Sequence, residues 1–291
     1  MIDFIINPLA GGKNGKKIKR ALPLIEKRLG SAGIPYAFHY TEYSKHATKI
    51  TESLIANGAT KIVVIGGDGT LHEALNGFSN FDKAALGVIP CGTGNDFASA
   101  LHIPEDPLKA LEIILKDAPQ FTDFMQMPTV RGLNIIGMGL DVDVLRRYEK
   151  CKRKTKLSYT FCLIKSLFNF KYSEFDVVAD GKPPVHYRSI IAAIANGHRY
   201  GGGISICPTA DPADKKLDFV AMKEIKGLKL ISAFLKLKKG KILTLPQAVH
   251  FNMRNINIDA GKHYTVQVDG QLYEDIPFNV EIVSDTLRFF R

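Results

Sequence analysis

The first half of the chain alternates short apolar segments of strand type with amphipathic segments of helical length, and this alternation constrains the fold most strongly. Strands are predicted at 4–6, 36–41, 61–65 and 86–89. Helices are predicted at 14–30, 46–56, 71–75, 95–101 and 107–115, with Pro23 interrupting the first. Strands that alternate with helices of this length form βα units around a mostly parallel sheet. The pattern therefore predicts a Rossmann-like α/β domain.

The second half has a different sequence pattern, in which short apolar segments are separated by Gly, Pro and Asn. Strands are predicted at 133–136, 175–179, 189–195, 217–221, 256–258, 264–268 and 278–283, and helical insertions at 142–170 and 228–237. Closely spaced short strands with turn residues between them favour an antiparallel sandwich or barrel-like domain. We therefore predict two domains, an α/β domain at 1–125 and a β-rich sandwich domain at 126–291.

The positive charge of the chain lies entirely in its second half. The sequence has 39 Lys and Arg against 29 Asp and Glu, a formal charge of +10, and residues 1–125 contain 13 of each sign. Basic residues concentrate at 145–157 and 215–241. Within the second stretch, 228–239 is an apolar segment flanked by lysines, which suits a helix on an anionic membrane. A solvated charged face over a core-packing stripe accounts for this segment equally well.

Composition also bears on location and partners. No apolar segment approaches the roughly 18 to 20 residues that span a bilayer, and the opening segment 1–6 is too short and too acidic for a signal peptide. A cytoplasmic chain that associates peripherally with membranes is therefore expected. No nucleic-acid-binding module accompanies the basic segments, so no nucleic-acid partner is predicted. A homodimer is left open.

The cysteines and three of the histidines show no metal-binding pattern. The cysteines are widely spaced and form no CxxC pair, which argues against a zinc site or a disulfide framework; they are Cys91, Cys151, Cys162 and Cys207. Metal-ligand spacing is also absent around His186, His198 and His250. All of these residues are interpreted as ordinary thiols and imidazoles.

Three glycine-rich segments each follow a predicted strand of the first half. They are Asn7-Pro8-Leu9-Ala10-Gly11-Gly12, Gly66-Gly67-Asp68-Gly69-Thr70 and Cys91-Gly92-Thr93-Gly94-Asn95-Asp96. In a parallel sheet all three lie at the carboxyl edge, where such folds bind ligands. Glycine lets backbone N–H groups approach a phosphate closely, and the helix N-termini that follow favour negative charge. Together the segments predict a nucleotide-phosphate site.

Two of these segments also carry an aspartate. A carboxylate among phosphate-binding amides is repulsive unless it holds Mg²⁺ or contacts an acceptor hydroxyl, so Asp68 and Asp96 are the catalytic candidates. No segment is a Walker A loop or a complete GxGxxG fingerprint. Simple strand-to-helix geometry would explain any single loop, but not three at one edge.

The paired motifs at 66–73 and 90–98 resemble those of the diacylglycerol kinase catalytic-domain family, which includes bacterial soluble lipid kinases and sphingosine kinases. The resemblance extends to Asn7-Pro8, to Thr41 within Tyr40-Thr41-Glu42, and to an N-x-x-G-x-G-x-D pattern at 134–141. GGDGT alone also occurs in NAD kinases and, in related form, in phosphofructokinases. The GTGND segment at 92–96 distinguishes the lipid kinases from these relatives.

The resemblance implies ATP bound between the two domains, with Asp68 organising Mg²⁺-ATP and Asp96 near the acceptor hydroxyl. The residues that it and the glycine segments place at the nucleotide are Asn7, Pro8, Gly11, Gly12, Thr41, Gly66, Gly67, Asp68, Gly69, Thr70, Leu71, His72, Gly92, Thr93, Gly94 and Asn95. It also implies a structural Mg²⁺ or Ca²⁺ in the second domain, held by the Asp214 carboxylate and the Asp211 and Lys216 carbonyls. Lys215 stands where the family usually has Gly, and an Asx-type turn is the alternative.

One departure from the family pattern concerns the residue that is the proposed general base in family members. Family members usually read D-G-E where this chain has Asp269-Gly270-Gln271, and the Glu is their proposed general base. An amide cannot accept a proton at neutral pH. Either Asp269 or Glu274 takes the role, or Gln271 only orients the hydroxyl, or catalysis is weakened.

The sequence therefore predicts an ATP- and Mg²⁺-dependent lipid kinase, with diacylglycerol phosphorylation to phosphatidic acid as the leading hypothesis. The alternatives are a kinase for another lipid alcohol, such as a sphingoid base or phosphatidylglycerol, and a lipid- and nucleotide-binding protein with little catalysis.

Overall fold

The computed structural model describes residues 1–12, 15–153, 155–225 and 229–291. Asn14, Lys154 and Leu228, which belong to segments discussed above, lie outside the described residues. The chain divides into two compact units: unit 1 comprises Met1–Asp123 and Ser284–Arg291, and unit 2 comprises Phe124–Val283. Residues 284–291, which are predicted to lie in the second domain, belong to unit 1 in the structure.

The elements follow in chain order. They are β1 (Ile2–Ile6), α1 (Lys16–Ser31), β2 (Tyr36–Tyr40), α2 (His46–Ala56), β3 (Lys61–Gly66), α3 (Asp68–Asn76), β4 (Ala85–Pro90), α4 (Asp96–Ala100), α5 (Pro107–Lys116), β5 (Gln120–Gln126), β6 (Arg131–Gly132), β7 (Ile135–Gly139), α6 (Leu140–Glu149), α7 (Lys156–Leu167), β8 (Ser173–Ala179), β9 (Val185–Ser189), β10 (Ile191–Ala195), β11 (Leu217–Met222), α8 (Lys229–Lys238), a 3₁₀ turn (Ile242–Thr244), β12 (Ala248–Met253), β13 (Asn255–Asp259), β14 (Thr265–Val268), β15 (Gln271–Glu274) and β16 (Asn279–Phe289).

Unit 1 is built on a parallel sheet in the order β2-β1-β3-β4, and the end of β16 pairs parallel with β4. The chain leaves β1 for β2 on one side and returns to β3 on the other. A reversal of this kind opens a crevice at the carboxyl ends of the two strands concerned, here β1 and β3. The predicted α/β class is confirmed.

The register of the sheet brings these carboxyl ends into line. Ile6 of β1 lies opposite Tyr40 of β2 and Ile65 of β3, and Gly66 lies opposite Pro90 of β4. The segments that follow the four strands therefore begin at one edge.

Helix α1 is continuous, so the predicted interruption at Pro23 is wrong. Its buried residues, Ile18, Ala21, Ile25 and Leu29, recur at helical spacing along one face. Pro23 lies outside this stripe and is exposed. A proline inside a helix costs about 3 kcal/mol, and we attribute the continuity to the burial of the apolar stripe.

Unit 2 contains two antiparallel sheets that share one hydrophobic core. One sheet has the order β12-β11-β10-β7-β14-β15, and the other is formed by the start of β16 with β13, β8 and β9. Side chains of both sheets form the core, among them Ile136, Ile194, Phe175 and Ile256. The predicted sandwich is confirmed.

The six-stranded sheet is buried on its second face too, because helices cover it. Along β10, Ala192 and Ile194 belong to the sandwich core, whereas Ile191, Ala193 and Ala195 belong to a second core with residues of α6, α7 and α8. Strands covered on both faces read as continuous apolar runs rather than as alternating ones. In the described parts of the chain, no helix is long and apolar enough to cross a membrane.

Candidate functional site

The three glycine-rich segments of unit 1 contact one another at the carboxyl edge of the parallel sheet. The Asn7 side-chain amide donates to Thr70 Oγ1 at 3.2 Å, which joins the first segment to the second. The Lys17 ammonium, in the first turn of α1, donates to the Gly92 carbonyl at 3.1 Å and so joins the first helix to the third segment. The segments form a single structural cluster.

Within this cluster the backbones of Gly67 and Gly92 lie in close contact. A Cβ atom on Gly92 would lie 2.4 Å from the Gly67 Cα, and one on Gly67 would lie 2.9 Å from the Gly92 Cα. Gly11, with φ +80°, is similarly confined, because a Cβ there would lie 2.2 Å from the Cys91 carbonyl oxygen. Since real Cβ atoms do not approach so closely, the glycines are required where the backbones meet.

Asn95 holds the third segment in its turn. It adopts a left-handed conformation with φ 56°, which Asn tolerates better than most residues. Its Oδ1 accepts from the Gly92 N–H at 2.8 Å, and its Nδ2 donates to the Gly92 carbonyl at 3.3 Å. Thr93, at the tip of this turn, is exposed.

The two aspartates begin two adjacent helices. Asp68 is the first residue of α3 and Asp96 the first of α4. Asp68 Oδ1 accepts from the Phe97 N–H at 3.2 Å, so this half-buried carboxylate connects the starts of both helices. Asp96 is buried. The partial positive charge of helix N-termini favours carboxylates at both positions.

The same edge fits a nucleotide phosphate with its cation. A Cβ on Gly12 or Gly69 would meet no atom within 4 Å, so the backbone at these two glycines borders open space. N–H groups at the start of α3 and the Asp68 oxygens are suitable partners for phosphate and Mg²⁺, respectively. The backbone donors and carboxylate acceptors at this edge therefore fit a nucleotide phosphate with bound Mg²⁺.

The remaining predicted nucleotide contacts divide into two kinds. Thr41 follows β2 at the same edge and donates its N–H to the Ile6 carbonyl at 2.9 Å. His72 is buried, and its Nε2 lies 3.5 Å from Asn76 Nδ2 within α3. This contact joins His72 to the last residue of α3, and a contact of His72 with the nucleotide stays a prediction.

The sequence motifs predict no separate role for Lys17 and Glu73, whose side chains hold backbone groups near the cluster. The Glu73 carboxylate accepts from the N–H groups of Lys45, at 2.9 Å, and Ala47, at 3.3 Å, and so satisfies the start of α2. Lys17 has a recognisable signal, a lysine in the first helical turn after a glycine-rich segment. The partners of Glu73 lie on another helix and give no local signal.

In unit 2, Asp269 and Gly270 form the two-residue turn between β14 and β15, with φ of 49° and 85°. The Asp269 carboxylate accepts from three consecutive backbone N–H groups, those of Leu133 at 2.7 Å, Asn134 at 2.8 Å and Ile135 at 3.1 Å. A proton on this carboxylate would compete with these bonds. The geometry therefore favours a structural role for Asp269 and argues against a base.

Gln271 and Glu274 occupy opposite faces of β15, since side chains alternate along a strand. Gln271 lies opposite Val268, and its Oε1 accepts from the Tyr273 hydroxyl at 3.4 Å. Glu274 is exposed and lies 3.7 Å from the Arg146 guanidinium. Glu274 therefore cannot take the position of the Gln271 side chain without a change in the strand.

The predicted cation ligands of unit 2 lie in one turn. Asp211 Oδ1 accepts from the Ala213 N–H and Asp214 Oδ1 from the Lys216 N–H, both at 3.0 Å, which is the Asx-type arrangement. Lys215 keeps the left-handed conformation that suits the family's Gly, with φ 63°. Burial raises the pKa of Asp214, and the nearby Asp218 and Asp211 raise it further. The cation here stays a prediction.

Comparison with known proteins accounts for both units. A family model described as the diacylglycerol kinase catalytic domain matches residues 2–127, and one described as the YegS C-terminal NAD kinase beta sandwich-like domain matches residues 134–291. The chain belongs to the diacylglycerol kinase catalytic-domain family. Membership of this lipid kinase family implies ATP as the phosphoryl donor.

Individual relatives resemble the chain over nearly its whole length. A diacylglycerol kinase of Mycobacterium tuberculosis is 26% identical over 297 residues, covering 100% of this chain and 94% of the relative. A diacylglycerol kinase of Staphylococcus carnosus is 26% identical over 280 residues, covering 95% and 90%, respectively. An identity of 26% to diacylglycerol kinases supports a lipid kinase family and does not identify the acceptor lipid.

Solved structures share the fold. A crystal structure of a diacylglycerol kinase from Bacillus anthracis superposes with a TM-score of 0.73 at 20% identity, covering 99% of this chain and 96% of that one. The crystal structure of an NAD kinase from Archaeoglobus fulgidus in complex with ATP has a TM-score of 0.52 at 16% identity, covering 100% and 94%. The fold is thus common to lipid and NAD kinases.

Proposed function

We propose that this lipid kinase family member transfers the γ-phosphoryl group of ATP to the hydroxyl of diacylglycerol, giving phosphatidic acid. The observation that carries the proposal is the pair of aspartates at the starts of α3 and α4, connected by the hydrogen bond from Phe97 N–H to Asp68 and surrounded by glycine backbones. Phosphoryl transfer needs chiefly positioning and charge neutralisation, and this arrangement supplies both.

The proposed roles follow from the positions of the residues. The backbone N–H groups of 67–69 and 93–95 would bind the phosphates, and Asn7 and Lys17 hold these segments together. Asp68 would hold Mg²⁺, which neutralises phosphate charge when bound. Asp96, buried at the start of α4, would orient the acceptor hydroxyl.

Gln271 is proposed to orient the lipid hydroxyl and not to deprotonate it. Its amide can donate and accept hydrogen bonds but cannot take a proton at neutral pH. A largely dissociative transfer needs little base, because the bond to the leaving oxygen is mostly broken before the new bond forms. Asp269 is engaged by backbone N–H groups and Glu274 faces the other side of β15, so neither offers a replacement.

The proposed reaction is tested by radiolabel transfer from ATP to vesicles that contain one acceptor lipid each: diacylglycerol, a sphingoid base or phosphatidylglycerol. We expect label in diacylglycerol above the other lipids, and a loss of at least about 100-fold in Asp68→Ala, since the charge at the phosphates is then uncompensated. Label in another lipid would identify the alternative acceptor. ATP binding without transfer to any lipid would contradict the kinase proposal.

The role of Gln271 is tested by Gln271→Glu in the same assay. A carboxylate can both accept the hydroxyl proton and orient the hydroxyl, so kcat should stay the same or rise, by up to about 100-fold if general-base catalysis is gained. Gln271→Ala is the comparison that removes both functions. A large drop in Gln271→Glu would show that the amide N–H itself is needed.

We also propose that α7 attaches the protein to an anionic membrane. Four apolar side chains at helical spacing form an exposed stripe along this helix and its C-cap residue, with exposed fractions between 38% and 83%: Leu157, Phe161, Ile164 and Phe168. The opposite face is buried against the second core of unit 2. The stripe has exposed lysines beside it at 156 and 165, and apolar burial combined with basic charge drives interfacial binding.

Helix α8, within the basic segment discussed above, is the weaker candidate. Ala233 and Leu237 are buried, which leaves Ile231 and Leu235 as its exposed large apolar residues. Lys236 donates to Thr244 Oγ1 at 3.0 Å, so this lysine already has a partner within the protein.

The two helices are distinguished by vesicle sedimentation. Replacement of Leu157, Phe161 and Phe168 by serine should weaken binding to anionic vesicles at least about tenfold, since each buried side chain of this size contributes about 1.5 to 3 kcal/mol. Ile231→Ser with Leu235→Ser is the matched control on α8 and should have a smaller effect. Weakening by the α8 pair alone would contradict the assignment. Added salt should weaken binding of the unchanged protein.

A further inference from the structure

Three chemically reactive side chains meet in unit 2: those of Cys207, Asp218 and His250. Cys207 Sγ lies 3.8 Å from His250 Nε2, and the same nitrogen lies 2.5 Å from Asp218 Oδ1. The sulfur, nitrogen and carboxylate oxygen all lie within 4.8 Å of one another. Three potential metal ligands of three different types therefore converge on one point.

Strand pairing produces this convergence. Val220 of β11 lies opposite His250 of β12, and Asp218 lies two residues before Val220, so His250 and Asp218 are diagonal neighbours on one face of the sheet. Cys207 comes from the segment before β11 and is packed into the second core of unit 2. Residues 11 and 32 positions apart in sequence thus meet, without the short spacing typical of zinc motifs.

Burial and charge favour a cation at this point. Asp218 and Cys207 are fully buried, whereas the His250 side chain is 28% exposed and provides a path from solvent. One carboxylate and one thiolate together neutralise the two charges of a divalent cation. A buried carboxylate is stable only with a compensating partner. His250 Nε2 carries at most one proton, which it would have to share between the Asp218 carboxylate and the Cys207 sulfur.

We propose that Cys207, Asp218 and His250 bind a zinc ion. Zinc accepts sulfur, nitrogen and oxygen ligands together, whereas Mg²⁺ and Ca²⁺ prefer oxygen alone. The hydroxyl of Thr209 lies 3.4 Å from Asp218 Oδ1 and 3.5 Å from Cys207 Sγ, and water can supply a fourth ligand. The site would join β11 and β12 to the segment that carries Cys207, independently of the lipid kinase reaction.

The binding step balances in protons. The ion takes the place of the Cys207 thiol proton, which passes to solvent, and of the proton on His250 Nε2, which moves through solvent to Nδ1 so that the ring stays neutral. Nitrogen and oxygen then move apart from their present 2.5 Å, since each lies about 2.0 to 2.2 Å from zinc in a tetrahedral arrangement. No oxidant or reductant is involved.

The test is a titration of the full chain, dialysed against chelator, with Zn²⁺ in competition with a chromophoric chelator. We expect one equivalent to bind, and the affinity to fall at least about tenfold in both Cys207→Ser and His250→Gln. Cys91→Ser removes a buried thiol elsewhere, and His186→Gln removes the histidine of an exposed pair with Asp176 that has no thiol near it in the structure as described. Both controls should bind as the unchanged protein does.

Cobalt gives a second readout that reports the ligand directly. Co²⁺ bound through Cys207 should show thiolate-to-metal charge-transfer absorption, which Cys207→Ser should lack. Circular dichroism first establishes that each metal-free variant is folded; if Cys207→Ser is not, the partly exposed His250→Gln carries the comparison. No zinc binding by the unchanged protein, or equal binding by folded variants of the two ligands, would overturn the proposal.

Discussion

The contact between the Gly67 and Gly92 backbones is the constraint on which the candidate nucleotide site depends. A side chain at either position would force apart the segments that follow β3 and β4. Because the segments touch, the carboxylate at the start of α3 reaches the first N–H groups of α4, and both helix N-termini begin at one place. The site is thus assembled from main chain held at contact distance, which preorganises its donors for a phosphate.

Side chains anchored to backbone N–H groups stabilise both units near their functional residues. Asn95 closes its own turn through Gly92, and Asp269 binds three consecutive N–H groups beside β7. Hydrogen bonds to a charged acceptor contribute about 1.5 to 3 kcal/mol each. In unit 2 this places Gln271, for which we propose an orienting role, directly after a fixed turn.

Local patterns predicted the fold and the glycine-rich edge, because both depend on periodicity and on which residues follow a strand. The segments at 66–70 and 92–96 each follow a strand of one parallel sheet, which places them at one edge. The structure differs from the prediction at two places where contacts between residues far apart in sequence determine the conformation. Pro23 is accommodated by the buried stripe of α1, and 284–291 returns to β4 across almost the whole chain. Neither effect is encoded in neighbouring residues.

The candidate site was predictable to a similar degree. Asp68 and Asp96 stand out as carboxylates among glycines, but the engagement of Asp269 depends on N–H groups more than 130 positions away. The exposed stripe of α7 and the meeting of Cys207 with His250 likewise require knowledge of which faces are covered and which strands pair. Spacing alone argues against a zinc site, whereas the strand register brings together three side chains that could bind a metal.

The central claim, that contact between glycine backbones forms the nucleotide site, is tested most directly by the ATP affinity of Gly92→Ala. The added methyl group cannot fit beside Gly67, so the account predicts at least a tenfold weaker Kd, measured by calorimetry, with the fold retained. Gly30→Ala, at an exposed helical position where a Cβ meets no atom within 4 Å, should bind ATP as the unchanged protein does. Unaltered ATP affinity in a folded Gly92→Ala protein would contradict the account.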